Sequence, residues 1–314
     1  MSKQPLATAW EQGSASAFSA PDAKTGRRHG RFRILFGQVY EDAEIEAAAF
    51  SRAQRHVFCI ASAGNTALRL AAEHEVIACD INPVQLRYAE ARAHGAKPQR
   101  GDAERAMSSM LKLAPLAGWT EAILRKFIAF DNIEEQLKFW RKHLDTARFR
   151  LGCRVLFSRP MLGKIYSKAL LDTLPPNFGS VLRHRLERAF QQHSNRTNPY
   201  ARMLLLCEMF DLRCEHPERI SFVAMDAASY LESCPAGGFD GLSLSNIMDG
   251  ATLAYNRRLA RAVQHAASNQ ATVVWRSFGE PHQTEAENLA AEDRSMLWGS
   301  VRVCPAKEFT GEQD

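Results

Sequence analysis

The sequence predicts an α/β fold with a mostly parallel sheet, interrupted by a large helical insertion. Three observations lead to this prediction. An apolar strand, a helix and a second apolar strand follow one another over residues 57–79, residues 103–215 carry apolar residues at helical spacing, and strand patterns return after residue 216. The chain has 314 residues, 46% of them hydrophobic, which is enough for one large domain or one domain with an insertion.

The N-terminal residues, 1–33, are predicted to be a basic flexible tail. They are rich in Ser, Ala and Gly and end in "KTGRRHGRFR". This basic run can touch phosphate or anionic lipid, and a plain solvated leader is the alternative. Residues 1–20 lack the apolar segment of a signal peptide.

The first half of the predicted sheet domain covers residues 34–102. Glu41 and Asp42 stand at the start of a helix, where acidic side chains are favoured by the helix dipole. A strand over 57–61, a helix over 64–73 and a strand over 75–79 then form a parallel crossover unit. Asn82-Pro83 begins the next helix, since proline favours the first helical turn.

Residues 103–215 are predicted to form a helical insertion or lid without strands. Its large aromatic residues are expected to form a core rather than to contact a ligand; they are Trp119, Phe127, Phe139 and Trp140. The second half of the sheet domain, residues 216–314, has strand patterns in "RISFVAMDAASYL", "FDGLSLSNIMDG" and "ATVVWRSFGEP", and a last one in "MLWGSVRV".

Charge and cysteine content narrow the class of protein. The formal net charge of +5 is mild, and the basic residues are not interleaved with aromatic ones, so no nucleic-acid partner is expected. The seven cysteines form no CxxC pair and are odd in number, which indicates reduced core thiols of a cytoplasmic protein and no metal site. No apolar run approaches the roughly 18 residues that a membrane span needs.

The candidate binding residues follow the ends of the predicted strands, where open parallel sheets bind their ligands. The first strand is followed by small residues, namely Ser62, Ala63, Gly64 and Asn65. The second ends on Asp80, which is placed to accept hydrogen bonds from two ribose hydroxyls or, alternatively, to cap the next helix.

The third and fourth strands supply the remaining candidates. Asp226 follows the third strand, where it can meet an adenine amino group or cap a helix, and Gly101-Asp102 is a rival for the adenine contact. After the fourth strand come Ser245, Asn246 and Asp249, where a reacting group would lie.

This order of motifs resembles the class I S-adenosylmethionine-dependent fold. The loop "SAGNTAL" followed by "DINPVQLRYAEAR" is similar to one family in particular, the bacterial S-adenosylmethionine:diacylglycerol 3-amino-3-carboxypropyltransferases of betaine-lipid synthesis and their relatives. Further matching segments cover about residues 34–305; they are "FGQVYEDAEIEAAAF", "FWRKHLD", "NPYARMLL", "LSNIMDG" and "EDRSMLWGSV".

The resemblance implies that S-adenosylmethionine is bound and that its 3-amino-3-carboxypropyl group moves to a hydroxyl acceptor. The acceptor would be diacylglycerol or a related lipid, and methylthioadenosine would leave. The residues implied to contact the cofactor are Ser62, Ala63, Gly64, Asn65, Asp80, Asn82, Asp226, Ala227, Ser245 and Asn246.

Catalytic and substrate-binding roles are assigned with a structural alternative for each. Asp249 is the candidate general base or a purely structural group. Tyr40, Glu41 and Asp42 are expected to close over the cofactor or simply to form the polar first turn of a helix. Three residues are expected to hold the carboxylate of the amino acid arm of S-adenosylmethionine; they are Arg276, Asp293 and Arg294. The alternative for Arg294 is a salt bridge to a neighbouring residue.

Two other functions remain open at this point. A small-molecule methyltransferase would share the fold and the cofactor, and a non-catalytic binding protein would share the fold alone. The leading reading places the protein in the cytoplasm, with peripheral contact to the inner face of the membrane through the tail and the helical insertion.

Overall fold

Six strands form one sheet in the residues that the computed structural model describes, which are 32–53, 56–163, 166–281 and 288–311. They are β1 His56–Ile60, β2 Val76–Asp80, β3 Ile220–Ala224, β4 Phe239–Ser243, β5 Ala267–Ser277 and β6 Ser300–Pro305. Their spatial order is β3-β2-β1-β4-β5-β6. The basic tail predicted for residues 1–33 lies, up to residue 31, outside the described residues.

The sheet is parallel except at one edge, where β6 runs antiparallel to β5. The chain moves outward from β1 to β2 and β3, then returns to the other side of β1 for β4. This order is that of a doubly wound, Rossmann-like α/β sheet, whose direction reverses between β1 and β4. The predicted α/β class, the parallel pairing of the first two strands and the return of strands after residue 216 are confirmed.

Thirteen helices are described besides short 3₁₀ and π turns. Helix α1 Ala43–Ala49 precedes β1, and α2 Asn65–Leu70 connects β1 to β2. Nine of the described helices lie between β2 and β3. They are α3 Pro83–Ala93, α4 Asp102–Leu111, α5 Glu121–Ile128, α6 Ile133–Phe139, α7 Ala147–Leu156, α8 Arg159–Leu162, α9 Lys168–Thr173, α10 Phe178–Gln192 and α11 Pro199–Leu206. The last two are α12 Ala227–Ser233 and α13 Leu253–Ala266.

Helices cover both faces of the sheet because neighbouring strand residues point to opposite sides. Val57 and Cys59 of β1 pack with α1, α2 and α3 on one face. Phe58, between them, packs with α12 and α13 on the other. Both faces of the central strands are therefore buried, as the near-continuous apolar runs of the sequence predict.

The predicted helix over 64–73 is shorter in the structure. α2 ends at Leu70, because the backbone then tightens into bonds between residues three apart, from Ala72 to Arg69 and from Glu73 to Leu70. After this tighter turn the chain enters β2 at Val76.

The helices between β2 and β3 have their own core. Trp119, Phe127 and Trp140 are buried in it, which confirms their predicted role, and Phe139 packs against it partly buried. No strand occurs between α4 and α11 in the described residues, as predicted. Whether these helices move as a lid stays a prediction.

The described helices include none that is both long and apolar enough to cross a bilayer. All seven cysteines are free thiols, and four of them are buried; these are Cys59, Cys79, Cys153 and Cys207. The burial of four of them agrees with the prediction of mostly buried thiols, and their reduced state stays a prediction.

Candidate functional site

The loop after β1 contains two residues in the left-handed conformation. Ser62 has a φ of 44° and Gly64 a φ of 89°. A Cβ on Gly64 would lie 3.1 Å from the Cβ of Ala89 on α3, so the helix packs directly against the loop. Glycine is needed here, whereas Ser62 adopts its left-handed conformation at a cost of about 1–2 kcal/mol.

Asp80, the last residue of β2, turns its carboxylate toward this loop. Its Oδ2 accepts the N–H of Ser62 at 3.0 Å, and its Oδ1 accepts the N–H of Asn82 at 2.8 Å. Desolvation raises the pKa of Asp80 to about 7, although both N–H donors oppose this shift. The residue as a whole remains partly exposed. Each oxygen keeps a lone pair, so the carboxylate can accept two further hydrogen bonds.

The cap of α3 is Asn82 rather than Asp80. The Asn82 side chain accepts the N–H groups of Val84 and Gln85 at 3.1 and 3.3 Å. Asp80 is thereby left for the loop after β1. The alternative reading of Asp80 as the helix cap is not what the structure shows.

Residues 33–42, here called the strap, lie against the loops that follow β1 and β2. They contain no helix or strand, and side chains from the sheet domain hold their backbone. Asn82 donates to a strap carbonyl at 2.9 Å, Gln85 accepts a strap N–H at 2.8 Å, and Asn65 accepts another at 3.2 Å. The buried side chain of Asn65 thus holds the strap instead of facing an open site.

Glu104, in the first turn of α4, holds the strap from the side of the helices. Its carboxylate is buried and accepts the N–H of Gly37 at 2.8 Å and that of Gln38 at 3.3 Å. It also accepts the hydroxyl of Tyr40 at 3.1 Å. Burial, followed by the nearby Glu104 charge, raises the pKa of Tyr40 above its usual range. Tyr40 is therefore a neutral hydrogen-bond donor in the strap.

A buried charge cluster lies where the strap meets the ends of β4 and β5. Arg276 is fully buried at the end of β5. Its guanidinium donates to Asp293 at 2.9 Å, to Glu46 at 3.0 Å and to the carbonyl of Asp42 at 3.1 Å, with further contacts to Glu46 and, at 3.5 Å, to Glu41. These five contacts match its five N–H groups. The cluster holds one guanidinium against three carboxylates.

Glu41 is the member of the cluster that connects to the loop after β4. Its carboxylate accepts the hydroxyl of Ser245, a residue with a left-handed φ of 54°. Burial raises the pKa of Glu41 to about 7, with Arg276 opposing the shift and Glu46 adding to it. Near neutral pH this carboxyl therefore sits close to the midpoint of its titration.

Asp42 and Arg294 form an ion pair at the outer side of this cluster. Arg294 is about one-third exposed and contacts both carboxylate oxygens of Asp42, one of them at 2.6 Å. Asp42 also caps α1 through the N–H of Glu44 at 3.3 Å. The salt-bridge alternative for Arg294 and the first-turn alternative for Asp42 are thus both realised.

Asp249 joins the loop after β4 to the end of β5. It is fully buried, and its oxygens accept the hydroxyl of Ser277 at 2.7 Å, the N–H of Phe278 at 2.9 Å and the amide of Asn246 at 3.4 Å. This set of bonds realises the structural alternative for Asp249. Its role as general base stays a prediction.

Asp226 caps α12 at the tip of β3. Its carboxylate accepts the N–H and the hydroxyl of Ser229 at 2.9 Å and the hydroxyl of Tyr255 at 2.6 Å. Ala227 follows as the first residue of the helix and is buried. The rival Asp102 follows no strand of the sheet; it opens α4 and pairs with Arg33 at 2.6 Å.

The structure brings the predicted residues into three groups. One lies at the tips of β1 and β2 and consists of Ser62, Ala63, Gly64, Asn65, Asp80 and Asn82. A second lies at the tips of β4 and β5 and consists of Glu41, Asp42, Ser245, Asn246, Asp249, Arg276, Asp293 and Arg294. Asp226 and Ala227 form a third group at the tip of β3, beside the first, since the N–H of Met225 donates to the carbonyl of Asp80 at 3.2 Å. Tyr40 lies in the strap that joins the first two groups.

Four residues of this region are missed by sequence reasoning. Gln85 and Arg92 of α3 hold the strap and the loop after β1, Glu104 holds the strap, and Glu46 pairs with Arg276. Two had a visible signal. Glu46 is a carboxylate inside the apolar run "EIEAAAF", and Glu104 stands three residues after Gly101 in a capping-box spacing.

The strand order defines a doubly wound α/β protein. The polar side chains at the carboxyl ends of its strands form a candidate ligand site at the topological switch point. The described residues contain no group of three or more His, Cys, Asp or Glu arranged to hold a metal ion. Comparison with models of protein families, with curated proteins and with solved structures found no match to this chain.

Proposed function

We propose that this chain binds S-adenosylmethionine at the carboxyl edge of its sheet and transfers the 3-amino-3-carboxypropyl group to a hydroxyl of a lipid such as diacylglycerol. The observation that carries the proposal is the position of Asp80. This partly exposed residue ends β2, and its carboxylate is bonded to the left-handed loop after β1, beside the topological switch point.

The residues present fit the nucleoside part of this ligand. Both oxygens of Asp80 keep a free lone pair, which suits the two neighbouring hydroxyls of a ribose. The loop from Ser62 to Gly64 offers small side chains, so a ligand can approach its backbone. For the adenine, the Asp226 carboxylate is a weaker fit, because Ser229 and Tyr255 already use it.

The charge cluster supports binding of the positively charged part. Three buried carboxylates face one guanidinium there, so a cation near Glu41 and Ser245 would offset the excess negative charge. Arg276 is already saturated by the chain's own acceptors. Arg294, being the more exposed, is the better candidate to hold the ligand's carboxylate.

When bound, S-adenosylmethionine supplies an electrophilic carbon next to a sulfonium leaving group. The protein's part is to aim one carbon at the acceptor, since an error of about 1 Å can cost roughly a hundredfold in rate. Among the predicted catalytic residues, Glu41 has a pKa of about 7, near the value that suits a general base at neutral pH. Asp249 serves as the support that fixes the loop carrying Ser245 and Asn246.

Binding is tested by titration calorimetry with S-adenosylmethionine on the Asp80→Ala and Asp80→Asn variants. We expect at least tenfold weaker binding, since two hydrogen bonds to a charged group are lost, about 1.5–3 kcal/mol each. Because the ligand prefers the ionised carboxylate, affinity of the unmodified protein should rise with pH through 7. The Asn variant should show a smaller rise, which Glu41 alone then contributes. Asp240→Ala, a carboxylate at the opposite end of β4, is the matched control.

The reaction is tested by mass spectrometry of the nucleoside released in the presence of a lipid extract. Methylthioadenosine above the no-protein background, dependent on lipid and lost in Asp80→Ala, is the expected product. S-adenosylhomocysteine would replace the proposal with a methyltransferase. Binding without either product would exclude the lipids of the extract as acceptors, and no binding at all would refute the proposal.

A further inference from the structure

One surface of the helical part combines exposed apolar residues with basic ones. Of the seven large hydrophobic residues that are exposed in the described chain, five lie on α4, α7 and the short turn after α4; they are Met110, Leu113, Leu116, Leu151 and Val155. Leu116 is 74% exposed and Leu151 is 56% exposed. This surface is here called the basic-apolar face.

The two stretches that form this face are neighbours in space. The turn Ala114–Ala117 accepts the hydroxyl of Thr146, just before α7, through the carbonyl of Ala117 at 3.2 Å. Trp119 stacks on Phe149 of α7 with ring centroids 4.2 Å apart. The turn and α7, which carry most of these exposed apolar residues, therefore lie side by side.

The charged residues within these two stretches are all basic. Residues 146–171 include six Lys and Arg, and residues 105–120 include two. Three of them are paired with acidic residues just outside the stretches: Arg105 with Asp102, Arg150 with Asp145 and Arg159 with Asp172. Lys112, Arg148 and Arg154 are exposed there. On α7, Arg148, Leu151 and Val155 follow at spacings of three and four residues, which places them along one stripe of the helix.

We propose that the basic-apolar face docks the protein on the surface of an anionic lipid bilayer. Apolar side chains among Lys and Arg, without acidic residues, are the composition of surfaces that lie in the headgroup region of anionic membranes. A soluble acidic protein would match the charges but would leave five large apolar side chains without the hydrocarbon that they favour.

The face is connected to the candidate site by α4. Glu104 in its first turn binds the strap, and Met110 near its end belongs to the face. Six residues of helix separate them, about 9 Å along the axis. Docking would therefore bring membrane lipid close to the strap. This link to a lipid acceptor rests on the proposed function, whereas docking itself does not.

The test measures co-sedimentation of the full chain with vesicles, without S-adenosylmethionine. One set of vesicles is phosphatidylcholine alone, and the other is an equimolar mixture with phosphatidylglycerol. We expect binding to the mixed vesicles only, weakened by salt. The double variant Leu113→Ser with Leu151→Ser should bind the mixed vesicles at least about tenfold more weakly. Leu253→Ser is the matched control, because Leu253 is 55% exposed but lies on α13.

A second pair of variants changes charge without disturbing packing. A Cβ added to Gly152 on α7 would meet no atom within 4 Å. Gly152→Glu should weaken binding to the mixed vesicles about fivefold, and Gly152→Lys should strengthen it about fivefold. Circular dichroism of both variants checks that α7 still forms.

Three outcomes would overturn the proposal. The first is no binding to the mixed vesicles. The second is unchanged binding in the face variants together with loss of binding in a variant of the tail residues Arg27 and Arg28. The third is self-association, seen in sedimentation velocity, that the substitutions at Leu113 and Leu151 abolish. In that case a second copy of the chain, and not a bilayer, would cover the basic-apolar face. Calorimetry with S-adenosylmethionine on the same variants reports the proposed function separately, because that titration needs no vesicle.

Discussion

At the scale of single residues, backbone conformation decides which substitutions this site tolerates. Gly64 and Gly152 show the contrast. The first has a φ of 89° and a neighbour 3.1 Å from where its Cβ would be, whereas the second is helical and faces open space. The same chemical change should therefore have opposite effects on stability at the two positions.

We predict that Gly64→Ala lowers the free energy of unfolding by about 1–3 kcal/mol, through left-handed strain and contact with α3. Gly152→Ala should raise it by about 0.5–1 kcal/mol, because alanine has the higher helix propensity. Urea unfolding followed by circular dichroism measures both. An equal effect of the two substitutions would contradict the prediction.

Glu41 gives the site a pH dependence of known sign. Its pKa is about 7 in the folded protein, against a reference of 4.5. The folded state therefore binds more protons between these values, and stability falls as the pH rises from 4.5 to 7. Glu41→Gln cannot titrate and should lack this contribution.

The measurement compares the variant with the unmodified protein by urea unfolding at pH 5 and at pH 8. Relative to the unmodified protein, the variant should be more stable at pH 8 than at pH 5, by up to about 3 kcal/mol. Asp80, whose pKa is also raised to about 7, contributes the same slope to both proteins and so cancels. A difference that stays constant with pH would show that Glu41 does not titrate in this range.

At the scale of elements, the strap is held by side chains rather than by a helix or a strand. Glu104 alone accepts three hydrogen bonds from strap residues and one from Gly101 at 2.8 Å. Since bonds to a buried carboxylate contribute about 1.5–3 kcal/mol each, this one residue accounts for much of the strap's attachment.

We predict that Glu104→Ala releases the strap while the sheet stays folded. Amide hydrogen exchange of residues 37–41 should become at least tenfold faster, with the strands β1 and β2 unchanged. Glu121→Ala, an exposed first-turn glutamate on α5, is the control and should change neither. Unchanged exchange in the strap of Glu104→Ala would mean that Asn65, Asn82 and Gln85 suffice to hold it.

The sequence predicted elements better than it predicted contacts between them. Strands, the loop after β1 and the aromatic core of the helices follow from local periodicity and turn residues, which the chain shows directly. The strap and the charge cluster could not be predicted, because Glu104 meets Gly37 across 67 positions and Arg276 meets Glu46 across 230. Such pairings depend on tertiary packing, for which a single sequence carries no periodic signal.

At the scale of the whole molecule, the helices between β2 and β3 are tied to the sheet by buried polar bonds. Arg185 of α10 is 3% exposed and donates to the carbonyls of Leu297 at 2.7 Å and Phe278 at 2.8 Å. It also contacts Glu280 at 2.6 Å. Both carbonyls belong to the connection between β5 and β6, so one side chain couples the two parts.

We predict that Arg185→Met lowers the free energy of unfolding by about 2–4 kcal/mol, because two carbonyls lose their buried donor. Hydrogen exchange should show the helices opening separately from the sheet. Arg141→Met removes only an exposed ion pair with Glu187 and should change stability by less than about 1 kcal/mol. Loss of stability without separate opening would mean that contacts other than those of Arg185 couple the two parts.

The order of the strands has a consequence for how this protein is made. Asp80 at the end of β2 pairs with Ala224 of β3, which is 144 positions later in the chain (224 − 80). At a synthesis rate of about 5–20 residues per second, β2 leaves the ribosome roughly 7–30 s before its partner. The other edge of β1 stays unpaired even longer, because its partner β4 is synthesised after β3. A pair of apolar strands with both edges unpaired is exposed throughout that interval, so we expect the nascent chain to be a client of ribosome-associated chaperones.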